Sequence, residues 1–315
     1  MQILTKEQTA EFLEENDGFV ILTHRRPDGD TLGSSALLCR GLRQLGKTAH
    51  ILTNPETTEK YARLHEGLTT QQVADGDILI TVDVASKGML PEAFSVYADR
   101  ISLRLDHHET AASFTEHALV EPDAAACGEI VYGVLQQMGA VLDEPMADAL
   151  YTAVSTDTGC FRYANTTPNT FRVAADCAAV SRNLFALNQA LFETNSLGRL
   201  RLQGYIVEHA MFLNDRTAVI CPLPKAVEAE LGLREDDMEN ISGFPRTIEG
   251  VKIAATLRED GVGRVKLSVR AVPGYDAAAI CAQFGGGGHK GAAGASMQMS
   301  MNEAVEAIKE AMSKI

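Results

Sequence analysis

His24-Arg25-Arg26-Pro27-Asp28-Gly29-Asp30 lies between the apolar run Phe19-Val20-Ile21-Leu22 and the segment Thr31-Leu32-Gly33-Ser34-Ser35-Ala36-Leu37-Leu38. The run before it reads as a buried strand and the segment after it as a helix. One imidazole and two carboxylates therefore fall within seven positions at a strand-to-helix break. In an open parallel sheet, ligands bind just beyond the carboxyl ends of the strands. Pro27 and Gly29 favour a tight turn, which lets alternate side chains point at one spot. Histidine with carboxylates suits a divalent transition metal, Mn²⁺ among them. An Asp here can equally be a helix N-cap, and this segment alone leaves both readings of Asp28 and Asp30 open.

Working outward, residues 5–16 read as an amphipathic helix and 31–45 as a helix ended by Gly46. Residues 48–52 form a short strand. Asp77-Ile78-Leu79-Ile80-Thr81-Val82-Asp83 is an apolar strand ending in a carboxylate. Ile101-Ser102-Leu103-Arg104-Leu105-Asp106-His107-His108 is another, ending in a carboxylate and two imidazoles. Helices are predicted over 126–138 and 143–155, after which Thr156-Asp157-Thr158-Gly159 opens a polar loop. Strands alternating with helices imply an α/β fold with a parallel sheet. Three strands thus end in Asp or His, and a fourth Asp follows a helix. Repetition of one chemistry at successive strand ends suggests side chains converging at one edge of the sheet.

From about 168 to 212 the pattern is helical, and the domain boundary is placed there. The expectation is a first domain over 1–194, a connecting helix to about 212, and a smaller mixed α+β domain over 213–315. The second domain has strands at 217–221, 251–257 and 265–270, the last two joined by a Gly-containing turn at 259–263. A helix at 276–283 runs into Gly285-Gly286-Gly287-Gly288-His289-Lys290-Gly291-Ala292-Ala293-Gly294, and a last helix covers 302–313.

Composition bounds the reading. The 315 residues are 45% hydrophobic and 22% charged, ordinary for a globular protein with room for two cores. The start of the chain has no basic flank followed by an apolar run, and no stretch approaches the roughly 18 apolar residues of a membrane span. Six cysteines without a C-x-x-C pair fit reduced thiols better than a disulfide framework or a zinc site. A cytoplasmic protein without a membrane partner is expected. The net charge of −14 is uneven: residues 1–194 carry −13 and residues 195–315 carry −1. An acidic surface of this kind serves solubility. It also repels long nucleic acid, whose binding depends on Lys and Arg displacing counterions. A phosphate-ester substrate should therefore be short.

The His24-x-x-x-Asp28-x-Asp30 turn, Asp83, Asp106-His107-His108 and Asp157 together resemble the four motifs of the DHH phosphoesterase superfamily. The tail Gly286-Gly287-Gly288-His289-Lys290-Gly291-Ala292-Ala293-Gly294 resembles the glycine-rich signature of that family's associated C-terminal domain. The resemblance spans nearly the whole chain. It looks most like the nanoRNase group, which joins oligoribonuclease activity to 3′-phosphoadenosine 5′-phosphate phosphatase activity.

The resemblance implies an α/β DHH domain with a parallel sheet, a smaller α+β domain, and a cleft between them as active site. It implies two divalent ions, most simply Mn²⁺. His24, Asp28 and Asp83 would hold one, and Asp30, Asp83, His107 and Asp157 the other, with Asp83 bridging. Such an ion pair can activate a water and clamp attacking and leaving oxygens. The mixed N/O donor set suits Mn²⁺ better than the N/S sets typical of structural zinc.

His108 would serve as an acid or oxyanion donor beside the phosphate, or else fix the tautomer of His107. Asp106 would accept hydrogen bonds. Arg270, Gly286, Gly287, Gly288 and His289 would bind substrate phosphate, although Arg270 could be an exposed edge charge and the glycines a flexible linker. Phe161 and Tyr163, after Asp157, could stack a base or fill the core of their loop. The substrates implied are short RNA, dinucleotides and small phosphonucleotides. The rivals are a cyclic or linear dinucleotide phosphodiesterase and a non-catalytic nucleotide sensor; retention of all six candidate ligands weighs against the sensor. Oligomeric state is not legible, and analogy alone suggests a homodimer.

Overall fold

A computed structural model gives the fold and describes residues 1–108, 113–238, 240–261 and 263–313. The chain divides into two compact units, Met1–Thr194 and the residues from Asn195 onward.

The first unit runs β1 (Gln2–Ile3), α1 (Lys6–Glu15), β2 (Phe19–Leu22), α2 (Gly29–Gln44), β3 (Ala49–Leu52), α3 (Glu59–Ala62), β4 (Thr69–Thr70), β5 (Ile78–Val82), β6 (Ile101–Asp106) and β7 (His117–Val120). It continues with α4 (Cys127–Gln137), α5 (Glu144–Asp157), α6 (Pro168–Val180) and α7 (Leu184–Asn188). The seven strands make one sheet in the order β1-β7-β6-β5-β2-β3-β4, every pairing parallel. From β2 the chain moves outward to β3 and β4, then returns to pair β5 on the other side of β2. The gap between the carboxyl ends of β2 and β5 is thus the topological switch point, where open sheets of this type bind ligands.

A parallel sheet covered on both faces needs strands that are apolar on both faces. All four residues of β2 are buried; Phe19 and Ile21 join one core cluster, Val20 and Leu22 the other. Each such side chain contributes roughly 1.5–3 kcal/mol by leaving water. On the first of those faces α2 lies against α5 at very short range. A Cβ on Gly33 would stand 2.4 Å from the Ala149 carbonyl oxygen, and one on Gly29 would stand 2.3 Å from Thr156 Oγ1. These two glycines let the start of α2 meet the end of α5, which brings Asp30 and Asp157 to the same end of the sheet. Asp157 is the last residue of α5 rather than part of the following loop.

The second unit contains α8 (Leu197–Glu208), β8 (Met211–Leu213), β9 (Ala218–Leu223), α9 (Lys225–Glu230), β10 (Ile253–Glu259), β11 (Val265–Ala271), α10 (Ala277–Ala282), β12 (Gly287–Gly288), β13 (Ala292–Met297) and α11 (Met301–Met312). Its sheet is mixed, in the order β12-β13-β11-β10-β9-β8. The predicted hairpin is β10–β11, closed by the Asp260 N–H to the Arg264 carbonyl at 2.8 Å; Val262, within that turn, lies outside the described residues. Helix α8, grouped above as a connector, buries Leu202 and Ile206 among Val219 and Cys221 of β9, so it packs with the second unit. Strand β13 was not expected. Its Ala-Ala-Gly-Ala-Ser-Met sequence lacks the β-branched and aromatic residues that mark strands, and its place comes from pairing β11 on one side and β12 on the other. Among the described residues, no helix is long and apolar enough to cross a membrane, and the six cysteines are free.

Candidate metal centre

The six side chains singled out from the sequence come together at the switch point. His24 follows β2, Asp83 follows β5 and His107 follows β6. Asp28 and Asp30 open α2, and Asp157 closes α5. Three overlapping groups have all their donor atoms within 4.8 Å of one another: His24, Asp28 and Asp83; Asp30, His107 and Asp157; and Asp83, His107 and His108.

Asp83 lies at the middle, 3% exposed, and turns one carboxylate oxygen each way. Its Oδ2 is 3.4 Å from His24 Nε2, while its Oδ1 is 3.5 Å from both His107 Nε2 and His108 Nδ1. His24 Nε2 stands 3.6 Å from Asp28 Oδ1; His107 Nε2 stands 3.8 Å from Asp30 Oδ2 and 3.7 Å from Asp157 Oδ2. Donors about 2.1 Å from one small divalent ion lie about 3.0–3.4 Å apart. The observed spacings are those of a coordination shell opened by a few tenths of an ångström, and too long for hydrogen bonds. Asp83 Oδ1 is buried without a hydrogen-bond partner. A buried carboxylate oxygen left so, facing two imidazoles beyond bonding range, fits a cation as its missing partner.

The neighbouring backbone fixes these groups. Asp83 adopts a left-handed conformation, φ 59°, held by its N–H donating to the Leu105 carbonyl at 2.9 Å. Such a conformation costs about 1–2 kcal/mol outside glycine and recurs at functional sites. His24 Nδ1 meets its neighbour's carbonyl, Arg25 O, at 2.8 Å, and His107 Nδ1 meets Ala124 O at 3.1 Å. Each bond places a proton on Nδ1, so that the neutral imidazole turns the lone pair of Nε2 toward the site.

Asp28 is the N-cap of α2, and its place beside His24 keeps the ligand reading open. Its Oδ1 caps α2, accepting from the N–H groups of Asp30 and Thr31, and is also the oxygen nearest His24. Asp30 is not a cap. It lies inside the first turn, and its carboxylate crosses to the N-terminus of α4, where Cys127 N–H donates at 2.6 Å and Gly128 N–H at 3.0 Å. Ser34 Oγ adds a bond at 2.9 Å.

A metal-free cluster would make up its charge with protons. Burial alone would lower the His24 and His107 pKa values. The carboxylates around them prevail, and the imidazoles rise to about 11 and about 10. Burial opposes ionisation of Asp83, but His107 and His24 hold it down to about 2. Asp157, raised by burial and by its anionic neighbours, reaches about 7, and Asp30 is pushed well up for the same reasons.

His108 does not set the tautomer of His107; Ala124 does that. Instead His108 Nδ1 donates to Asp106 Oδ1 at 2.8 Å, and this carboxylate raises the His108 pKa. Asp106 is fully buried and accepts from His108, as expected of it. Phe161 is half-buried and packs between Tyr151 and Phe171, at centroid distances of 6.0 and 5.6 Å, contacts that favour the core reading of its loop. Tyr163 is 54% exposed.

In the second unit, Arg270 is no edge charge. It sits half-buried on β11, opposite Ala254 of β10 and Ala292 of β13. The glycine run is not a linker either but one arm of an ordered hairpin with β13, turned by Ala292 N–H donating to His289 O and His289 N–H donating to Ala292 O. A Cβ on Gly288, at φ 143°, would stand 2.6 Å from Ala292 O. Gly286 N–H donates to Cys281 O, so at Gly286 and His289 the backbone donors are engaged within the protein. The exposed His289 ring lies at the tip, and Arg270 is in register with the Ala292 end of the same turn.

Reasoning from sequence missed the groups that hold the candidate ligands: Ala124 O, the Cys127 and Gly128 N–H pair, and Asn54, whose Nδ2 donates to His24 O at 2.9 Å. The run Ala124-Ala125-Ala126-Cys127-Gly128 was the available signal, since small residues let a helix start approach a carboxylate.

Comparison with known proteins agrees with this geometry. Residues 18–154 match the DHH family N-terminal domain, and residues 223–314 match the DHHA1 domain. The bifunctional oligoribonuclease and PAP phosphatase NrnA of Thermus thermophilus is 31% identical over 307 residues, covering 96% of this chain and 92% of that protein. An exopolyphosphatase-related protein from Bacteroides fragilis has the same fold, with a TM-score of 0.84 at 24% identity over 98% of this chain and 95% of that one. The exonuclease RecJ of Thermus thermophilus, solved with Mn²⁺, superposes with a TM-score of 0.53 at 15% identity over 98% of this chain and 54% of its own. With both domains and a relative matching over nearly its full length, the chain belongs to the DHH family of phosphoesterases, hydrolases of phosphoester bonds.

Proposed function

We propose that the protein is a two-metal phosphoesterase that hydrolyses oligoribonucleotides of about two to five nucleotides to mononucleotides, and 3′-phosphoadenosine 5′-phosphate to AMP, a span set by the dimensions of one small site. The observation that carries the reading is Asp83: a buried carboxylate with one oxygen toward His24 and the other, unpartnered, toward His107 and His108. His24, Asp28 and Asp83 would hold one divalent ion, and Asp30, Asp83, His107 and Asp157 the other. Ions bound there supply positive charge that polarises the phosphoryl group and lowers the pKa of water. Mn²⁺ is the assigned metal, supported by the N/O donor set and by the Mn²⁺ form of the RecJ relative.

The protein's own groups do the rest. The four carboxylates Asp28, Asp30, Asp83 and Asp157 carry the charge that two divalent ions would neutralise. His108, with Nδ1 committed to Asp106, keeps Nε2 for the substrate. Because Asp106 favours its protonated form, His108 suits the work of a proton donor or oxyanion partner. Arg270, Gly287, Gly288 and the His289 side chain are assigned to a substrate phosphate, Arg270 through its planar guanidinium; Gly286, its N–H given to Cys281 O, leaves the expected set. The short-substrate reading rests on charge: the unit bearing the centre has a net charge of −13, so phosphates far from it would meet repulsion.

The test is product analysis on end-labelled RNAs from two to about 24 nucleotides, with and without Mn²⁺, beside 3′-phosphoadenosine 5′-phosphate and cyclic and linear dinucleotides. The expected result is Mn²⁺-dependent conversion to mononucleotides, with kcat/KM highest for two to four nucleotides and little salt dependence. Equal or better cleavage of the longest RNAs overturns the substrate reading. Preference for the cyclic dinucleotide would move the protein to the dinucleotide phosphodiesterases.

A further inference from the structure

We infer that Asn165 is a positioning residue that preassembles the Asp30, His107 and Asp157 half of the metal centre and leaves the His24 and Asp28 half untouched. The inference rests on the two-metal reading above. Asn165 lies eight residues beyond Asp157, on an exposed stretch of chain. Its amide Nδ2 donates to two carbonyls: Asp157 O at 3.2 Å and Ala125 O at 3.0 Å. Both partners can only accept, so only the NH₂ end of the side chain fits there.

The two carbonyls belong to the two segments that must meet. Asp157 is the end of α5 and carries one donor of the group. Ala125 lies in the turn entering α4, and this turn orients the other two: Ala124 O holds His107 Nδ1 at 3.1 Å, while Cys127 and Gly128 N–H hold the Asp30 carboxylate at 2.6 and 3.0 Å. Between Asp157 and Ala125, a single side chain thus spans the gap. The second group, His24, Asp28 and Asp83, is oriented through Arg25 O, the start of α2 and Leu105 O, and the two bonds of Asn165 go to neither of these carbonyls nor to α2.

The chain path shows how Asn165 is delivered. Gly159, Cys160 and Phe161 are consecutive left-handed residues, with φ of 56°, 57° and 63°. Two of the three are not glycine, so the turn is strained. It is held by Cys160 N–H donating to Ser155 O at 2.6 Å, by Arg162 N–H donating to Thr158 O at 2.9 Å, and by Phe161 packed between Tyr151 and Phe171. The turn folds the chain back over the end of α5, so that Asn165 meets the carbonyl of Asp157. Asn169, at the start of α6, adds a second tie to α4 through Glu129 Oε2 at 2.9 Å.

Residues that orient metal ligands typically change metal affinity or activity by about 10- to 100-fold when replaced. Asn165→Asp tests the role with almost no change of size, since it turns a donor facing two carbonyls into an acceptor. Asn165→Ala removes the side chain without that repulsion. Mn²⁺ titration of the metal-free protein by calorimetry gives stoichiometry and stepwise affinity. Low-temperature electron paramagnetic resonance separates a coupled ion pair from isolated ions. In wild type, two ions per chain and a coupled spectrum are expected at two equivalents. In both variants one ion should bind within about twofold of wild type, and the other should weaken by about 10- to 100-fold. The spectrum at two equivalents should be that of isolated ions and recover its coupling at excess Mn²⁺. The kcat should recover with it, KM being unchanged at saturating metal.

Two ions bound with wild-type affinities in both variants, or a parallel weakening of both ions, would overturn the role of Asn165 while leaving the two-metal reading intact. A wild type that binds one ion would overturn the two-metal reading, and this inference with it.

Discussion

Metal loading should expel protons, and the number can be worked out from the cluster. Without metal, His24 and His107 titrate at about 11 and about 10, so both imidazoles are protonated at pH 7.5. Neither can bind an ion through Nε2 until that proton leaves. Each imidazole therefore contributes close to one proton. Asp157, near 7, is about one-quarter protonated at that pH and adds a fraction of another; Asp30, raised by burial and its neighbours, adds whatever it still holds. Loading two ions should release at least about two protons per chain at pH 7.5. Overall affinity should rise by about two log units per pH unit until the histidine values are approached.

Calorimetric titration with Mn²⁺ in two buffers of unlike ionisation enthalpy gives the proton count directly. His24→Asn and His107→Asn should each lower it by about one. Release of less than half a proton by wild type would refute the reasoning. It would mean that the imidazoles are neutral before metal arrives, and that Asp83, Asp28 and Asp157 do not act on them as the 3.4–3.7 Å spacings imply.

Other consequences follow from the same geometry. Asp83→Ala removes an oxygen from each half of the centre, so turnover should vanish and bound metal fall below two per chain by elemental analysis; normal activity with two ions would exclude the bridging role. His108→Ala should lower kcat by about 10²-fold, the scale of one lost oxyanion donor, with metal content unchanged, whereas a parallel loss of metal would make His108 a ligand, as its place beside Asp83 and His107 allows. The metal-free protein should lose thermal stability as pH rises. Asp157 is raised above its unfolded value, so its contribution is present below about pH 4 and lost through about 7; the histidine contributions are present below about 6.5 and lost through about 10–11. Scanning calorimetry from pH 5 to 9 checks this, and saturating Mn²⁺ should reverse the trend. Gly33→Ala drives a methyl against Ala149 O and the Ala153 backbone, and should destabilise the first unit by about 1–3 kcal/mol, measured as a lower Tm and a lower urea midpoint.

The candidate ligand set was legible because each of its members stands at a place that sequence marks. A buried strand announces itself as an apolar run, and the polar residue that ends the run must lie at the sheet's carboxyl edge. His24, Asp83 and His107 could be placed in this way without knowing strand order. The order itself was not legible. Nothing in Phe19–Leu22 or Ile78–Val82 says that these strands are neighbours, yet that pairing is what sets His24 and Asp83 within 3.4 Å.

Asp157 was read as loop because Thr-Asp-Thr-Gly looks like a turn, whereas packing on α2 across Gly29 and Gly33 carries the helix through Asp157 itself. Strand β13 escaped for the opposite reason: five small residues and a methionine have no pattern of their own, and only the partners on either side make them a strand. The least legible part was the backbone. Ala124 O, Cys127 N–H and Gly128 N–H belong to residues whose side chains are not among the candidate ligands, so side-chain chemistry did not reveal them. Nor could it show that Cys160 and Phe161 take up left-handed strain to return Asn165 to the end of α5. Which residues would touch the ions is written in residue type; what holds those residues still is written in φ, ψ and register, and only a folded chain displays it.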